Sequence, residues 1–107
     1  MGNGMEGNGR ERREDERKGV SLEAWWEGLS GRHGARVSDI SMGGCYIDSP
    51  GKVSVGEFVL FSIRKPDGSW LTLRGRVASA EVNIGFSLSY AFLTDEEQQE
   101  LKRLGAI

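Results

Sequence analysis

Two short clusters of residues combine side chains that could act on one ligand. The first is Arg13-Glu14-Asp15-Glu16-Arg17, with Arg12 directly before it. A guanidinium is a planar fork of donors that grips phosphate oxygens in pairs, meets the O6/N7 edge of guanine and lies flat on purine faces. The second is Asp39-Ile40-Ser41-Met42-Gly43-Gly44. Here a carboxylate can accept from the N1–H and N2–H2 edge of guanine, a hydroxyl can add a bond, and glycine lets a ligand approach the backbone. Together the clusters suit an anionic guanine nucleotide. By itself, the first also reads as a solvated charge run with i,i+4 ion pairs. By itself, the second also reads as a turn in which Asp and Ser cap local backbone. Neither cluster alone decides between its two readings.

The elements that must position them are mostly strands. Residues Met1 to Gly9 are Gly/Asn-rich and read as a disordered leader, and Arg10 to Lys18 is a block of charge. After Gly19 apolar residues alternate, with Val20, Leu22, Ala24 and Trp26 on one face and Ser21, Glu23 and Trp25 on the other. Gly28 to Gly34 reads as a loop, Ala35 to Ser41 as a second strand, and Cys45 to Asp48 as extended chain after the Met42-Gly43-Gly44 break. Glu57 to Arg64 and Trp70 to Ala80 flank Lys65-Pro66-Asp67-Gly68-Ser69, whose Pro, Asp and Gly are the chemistry of a hairpin turn. Ile84, Phe86, Leu88, Tyr90 and Phe92 alternate with Gly85, Ser87, Ser89 and Ala91, predicting a strand with a bulky inner face and a small outer one. The small face leaves room for something to lie against it.

The period then changes. Thr94 and Glu97 form a capping box, Asp95 and Glu96 suit a helix start, and Lys102, Arg103 and Gly105 suit its end. Leu101 and Leu104 make a narrow apolar stripe with which this helix packs on the strands. The expected fold is all-β, a six-stranded antiparallel barrel followed by one helix.

An RxxxR before the first strand, a DxSxxG at the end of the second, then alternating strands and a C-terminal helix resemble the PilZ domain family from about Arg10 to the C-terminus. That resemblance implies a bacterial receptor for cyclic di-GMP. It divides the chain into the leader (1–9), a flexible arginine-rich arm (10–19), the barrel (20–92) and the helix (94–105). It also implies that Arg13 and Arg17 hold phosphates and guanine Hoogsteen edges, and that Asp39, Ser41, Gly43 and Gly44 line the site. Arg12 stands where the family tunes stoichiometry, and an arginine there resembles members that take an intercalated ligand pair. Glu14, Asp15 and Glu16 depart from the pattern, because they repel a dianion unless they face solvent.

At 107 residues and 37% hydrophobic composition the chain fits one domain with a modest core. No apolar run approaches the roughly 18 residues of a membrane span, and the N-terminus lacks the apolar segment of a secretory signal. The single cysteine, Cys45, excludes an internal disulfide, so the reducing cytoplasm is the expected compartment. A net charge of −2 argues against bulk capture of nucleic acid. His33 is the sole histidine, and neither a metal cluster nor a phosphate-binding loop accompanies it, so neither enzyme activity nor a cofactor is expected. Cys45 should face the core, and Asp48 and Asp67 read as strand-edge and turn residues rather than a catalytic pair. Two other readings compete. One is a barrel of the same fold acting as a protein-interaction adaptor without nucleotide. The other is a small barrel that binds single strands through Trp25, Trp70, Arg74 and Arg76. A downstream protein partner is expected, without membrane insertion.

Overall fold

The structure is a computed structural model that describes residues 17–105. Six strands form the wall: β1 (Lys18–Gly28), β2 (Gly31–Ile40), β3 (Gly44–Asp48), β4 (Phe58–Arg64), β5 (Trp70–Glu81) and β6 (Gly85–Ala91). All pairings are antiparallel, and the order β1-β2-β3-β6-β5-β4 closes when β4 pairs with β1. Closure leaves no sheet edge to aggregate. Inward residues from every strand fill the interior, with Trp26, Phe61 and Phe86 the largest of them, and the Trp26 indole donates to Ser49 Oγ at 3.0 Å.

The helix, α1 (Asp95–Arg103), has the expected capping box at Thr94 and Glu97 and ends beyond Leu104 at Gly105. Leu101 is fully buried, and Lys65–Glu100 and Arg74–Glu97 pairs at 3.3 and 3.1 Å tie the helix to β5 and to the β4–β5 connection. The helix therefore packs on the end of the barrel reached by the β4–β5 hairpin.

Three details differ from the sequence expectation. Gly28 to Gly34 is not a loop: β1 and β2 continue to Gly28 and Gly31 around a turn of Leu29 and Ser30. Glycine-rich sequence survives as strand there because His33 pairs with Trp26 and stacks on its ring at 4.4 Å. The alternation from Ile84 to Phe92 holds only in its middle. Ile84 and Phe92 lie outside β6 and are 59% and 79% exposed. Phe92 has a left-handed φ of 56° that breaks the strand and turns the chain toward the helix. Along β4, Val59, Phe61 and Ile63 face the core, while Phe58 and Leu60 face outward and are exposed.

The third difference matters most for function. Val37 and Ile40 are both fully buried although they stand three positions apart, an odd spacing that a regular strand with period two forbids. The register shifts between Val37 and Asp39, where Ser38 is an extra residue opposite β3. This β-bulge inverts the alternation and turns Asp39, which would otherwise follow Val37 inward, to the outer surface.

Candidate functional site

Asp39 pairs with Tyr46 across the β2–β3 ladder, and Gly19 of β1 pairs with Asp39 on the other side. A second irregularity, between Gly19 and Leu22, lets the start of β1 track the bulged end of β2. As a result Arg17 meets Asp39, 22 residues away in sequence: Nη1 donates to Oδ1 at 2.8 Å. Both side chains are open to solvent, at 40% and 32% exposure. An ion pair so wetted contributes at most about 1 kcal/mol. Its two partners can therefore be redirected to a ligand at little cost. The second carboxylate oxygen of Asp39 accepts no hydrogen bond among the described residues.

The turn after β2 is built around one hydroxyl. Ser41 is 1% exposed; its Oγ donates to Gly44 O and accepts from the amides of Gly43 and Gly44, each at 3.1 Å. A serine hydroxyl has one proton and two lone pairs, so these three bonds use all of it. The Ser41 amide adds a bond to Gly44 O at 2.8 Å, and Gly43 O accepts from Tyr90 N at 3.1 Å. Gly44 lies so close to β6 that a Cβ there would collide with the Leu88 carbonyl. Ser41 and Gly44 thus fix the corner on which Asp39 stands, while Gly43 is exposed at its tip.

Beneath the corner the wall is apolar with a polar trace. Cys45 is completely buried, and burial pushes its thiol up to about 12, an effect the nearby Arg17 charge opposes. Tyr90 reaches toward it; burial raises its phenol strongly, and the hydroxyl has no hydrogen-bond partner among the described residues. On the outer face, small residues follow Tyr46 across the sheet: Ser87 pairs with Tyr46, and Ser79 with Ser87. Ser79 and Ser87 hydrogen-bond each other at 2.7 Å.

The structure thus brings Arg17, Asp39, Ser41, Gly43 and Gly44 to one corner of the outer wall. Arg12 and Arg13, the leader and most of the arm lie outside the described residues. Sequence reasoning did not single out Tyr46. The signal was present, since Tyr46 alternates with inward-facing Cys45 and so had to face out beside the corner. No group of His, Cys, Asp and Glu among the described residues could hold a metal. Of the aromatic and basic side chains considered for single-strand binding, Trp25 carries Arg32 over its ring at 3.9 Å, and Arg74 is held by Phe92 O and Glu97.

A closed six-stranded antiparallel barrel with a capping helix and an arginine–aspartate corner on its outer wall defines a recognisable class of domain. The sequence matches the PilZ domain family over residues 11–105, nearly its whole length, and the chain belongs to that family. No curated protein matches it in sequence. Among solved structures it is similar to the PilZ domain of CeSA from a cellulose-synthesizing bacterium, with 22% identity and a TM-score of 0.67, covering 83% of this chain and 93% of that one. The PilZ domain of YcgR from Escherichia coli, solved with c-di-GMP, shares 11% identity at a TM-score of 0.70, covering 83% and 85%. PlzA from Borreliella burgdorferi, in complex with c-di-GMP, shares 16% identity at 0.64, covering 94% of this chain but 44% of its own. At these identities the likeness is one of fold.

Proposed function

We propose that this chain is a receptor for cyclic di-GMP, with the ligand held on the outer wall between the arginines preceding β1 and the Asp39–Gly44 corner. The observation that carries this reading is the 2.8 Å contact between Arg17 and Asp39, which joins two motifs 22 residues apart at one exposed place. It is supported by membership of the PilZ family and by the two similar domains whose structures contain c-di-GMP.

In the bound state Arg17 turns from Asp39 to a phosphate or to the Hoogsteen edge of guanine. Asp39, freed of its partner, accepts from the N1–H and N2–H2 edge. Arg13 supplies the second fork, and Arg12 sets whether one ligand or an intercalated pair is taken. Each charge-assisted contact is worth about 1.5–3 kcal/mol, offset in part by ordering of the residues that close over the ligand. Closure of the arm over the barrel is the signal, because it makes or hides a surface for a downstream protein in the cytoplasm. The domain acts as a receptor and not as an enzyme.

Calorimetric titration with cyclic di-GMP tests the proposal. Arg17→Ala and Asp39→Ala should each weaken binding about tenfold or more, about 1.4 kcal/mol per factor of ten, without loss of fold. Equal affinity in the wild type and both variants, or no binding by the wild type, refutes it. A ratio of two ligands per chain supports the role given to Arg12, and a ratio of one removes it.

A further inference from the structure

The outer neighbour of Asp39 is an aromatic ring with an unusual posture. Tyr46 stands directly opposite Asp39 on the adjoining strand, where facing Cβ atoms are about 4.5–5.5 Å apart. Its side chain does not stand up into solvent. It lies over Gly85 of β6, where a Cβ would come within 2.7 Å of Tyr46 Cε1 and 3.0 Å of its hydroxyl oxygen. Only glycine leaves that space, so the ring rests on bare backbone. The hydroxyl donates to Glu81 at the end of β5. The residue beyond it in the ladder, Ser87, is short and already bonded to Ser79, so its side chain does not rise over the ring.

We infer that Tyr46 is the base-stacking platform of the nucleotide site: the purine whose edge is held by Asp39 lays its face on the Tyr46 ring. The inference deepens the receptor reading above and rests on it. An edge contact alone leaves both faces of a base in water, and a flat ring next to the carboxylate covers one of them. The division of labour follows from the chemistry. Stacking on an aromatic face is tolerant of base identity because every base has a π-face, whereas the carboxylate discriminates by hydrogen bonds. Tyr46 therefore supplies affinity common to purines, and Asp39 supplies the preference for guanine. Since the hydroxyl is committed to Glu81, the ring and not the phenol makes the contact.

The experiment is solution NMR on the full chain with cyclic di-GMP, combined with titrations of Tyr46→Phe and Tyr46→Leu whose folding is verified by thermal melts. In the wild type, guanine H8 should show nuclear Overhauser contacts to the Tyr46 ring protons and an upfield ring-current shift. Tyr46→Phe should keep the upfield shift and bind with affinity close to that of the wild type. Tyr46→Leu should lose the shift and bind about tenfold more weakly, a change of about 1.4 kcal/mol. The same loss should appear for any residual binding of cyclic di-AMP. Absence of the contacts in the wild-type complex, or undiminished affinity in folded Tyr46→Leu, overturns the inference while Arg17→Ala still reports on the receptor reading. If the wild type does not bind cyclic di-GMP, both fall together.

Discussion

Replacing Ser41 by alanine separates two roles that the sequence motif cannot distinguish. The hydroxyl is buried and makes three bonds, one to Gly44 O and one from each of the Gly43 and Gly44 amides. In Ser41→Ala, Gly44 O keeps its bond from the Ser41 amide at 2.8 Å, and the exposed Gly43 amide turns to water. The buried Gly44 amide has no such recourse, and an unsatisfied buried donor costs about 1–3 kcal/mol. For a domain of this size, about 2 kcal/mol corresponds to a fall in Tm of roughly 8–16 °C. Urea unfolding followed by far-ultraviolet circular dichroism gives the stability, and titration at a temperature where both proteins are folded gives the affinity. The expected result is a clear loss of stability accompanied by weaker binding as the corner loosens. Stability within about 0.5 kcal/mol of wild type, the range of a neutral surface change, together with lost binding would show that the hydroxyl touches the ligand and that the turn does not need it.

Two further outcomes follow from the barrel itself. Burial holds the Cys45 thiol protonated up to about 12, above its ordinary 9.0, and desolvation together with the Glu81 bond raises Tyr46 in the same direction, from 10.0 to about 12. Both groups favour the folded state while protonated, so stability should be level below pH 9 and fall between about 9 and 12 as the unfolded chain ionises first. Urea midpoints across that range, with slow reaction of the thiol with Ellman's reagent at pH 8, check this; a midpoint that rises above pH 9 refutes it. Leu101→Ala removes the one fully buried side chain of α1 and should cost about 2–5 kcal/mol, read from the urea midpoint. A loss below about 0.5 kcal/mol would mean that the helix does not seat on the barrel.

Local chemistry was sufficient for much of this protein. Thr94 and Glu97 cap a helix whatever surrounds them, and Pro66, Asp67 and Gly68 make a turn from their own backbone preferences. Alternation over Val20 to Trp26 and Phe86 to Tyr90 placed the inner faces of two strands, because a barrel interior admits only one side of each. The two ligand motifs were visible by residue type and spacing. Sequence did not decide which way Asp39 points. Extending the alternation from Val37 sends it inward, and only the pairing of β2 with β3, with Ser38 left over, turns it out. Spacing offered Ser41 as either a ligand contact or a turn cap and did not choose between them, and it could not reveal that Gly85 clears a bed for the Tyr46 ring from a strand 39 residues on. The direction of Asp39 and the seat of Tyr46 depend on the register between paired strands, which residue types do not carry. Residue types set what a side chain can do, while register, settled by packing the whole barrel, sets where it does it.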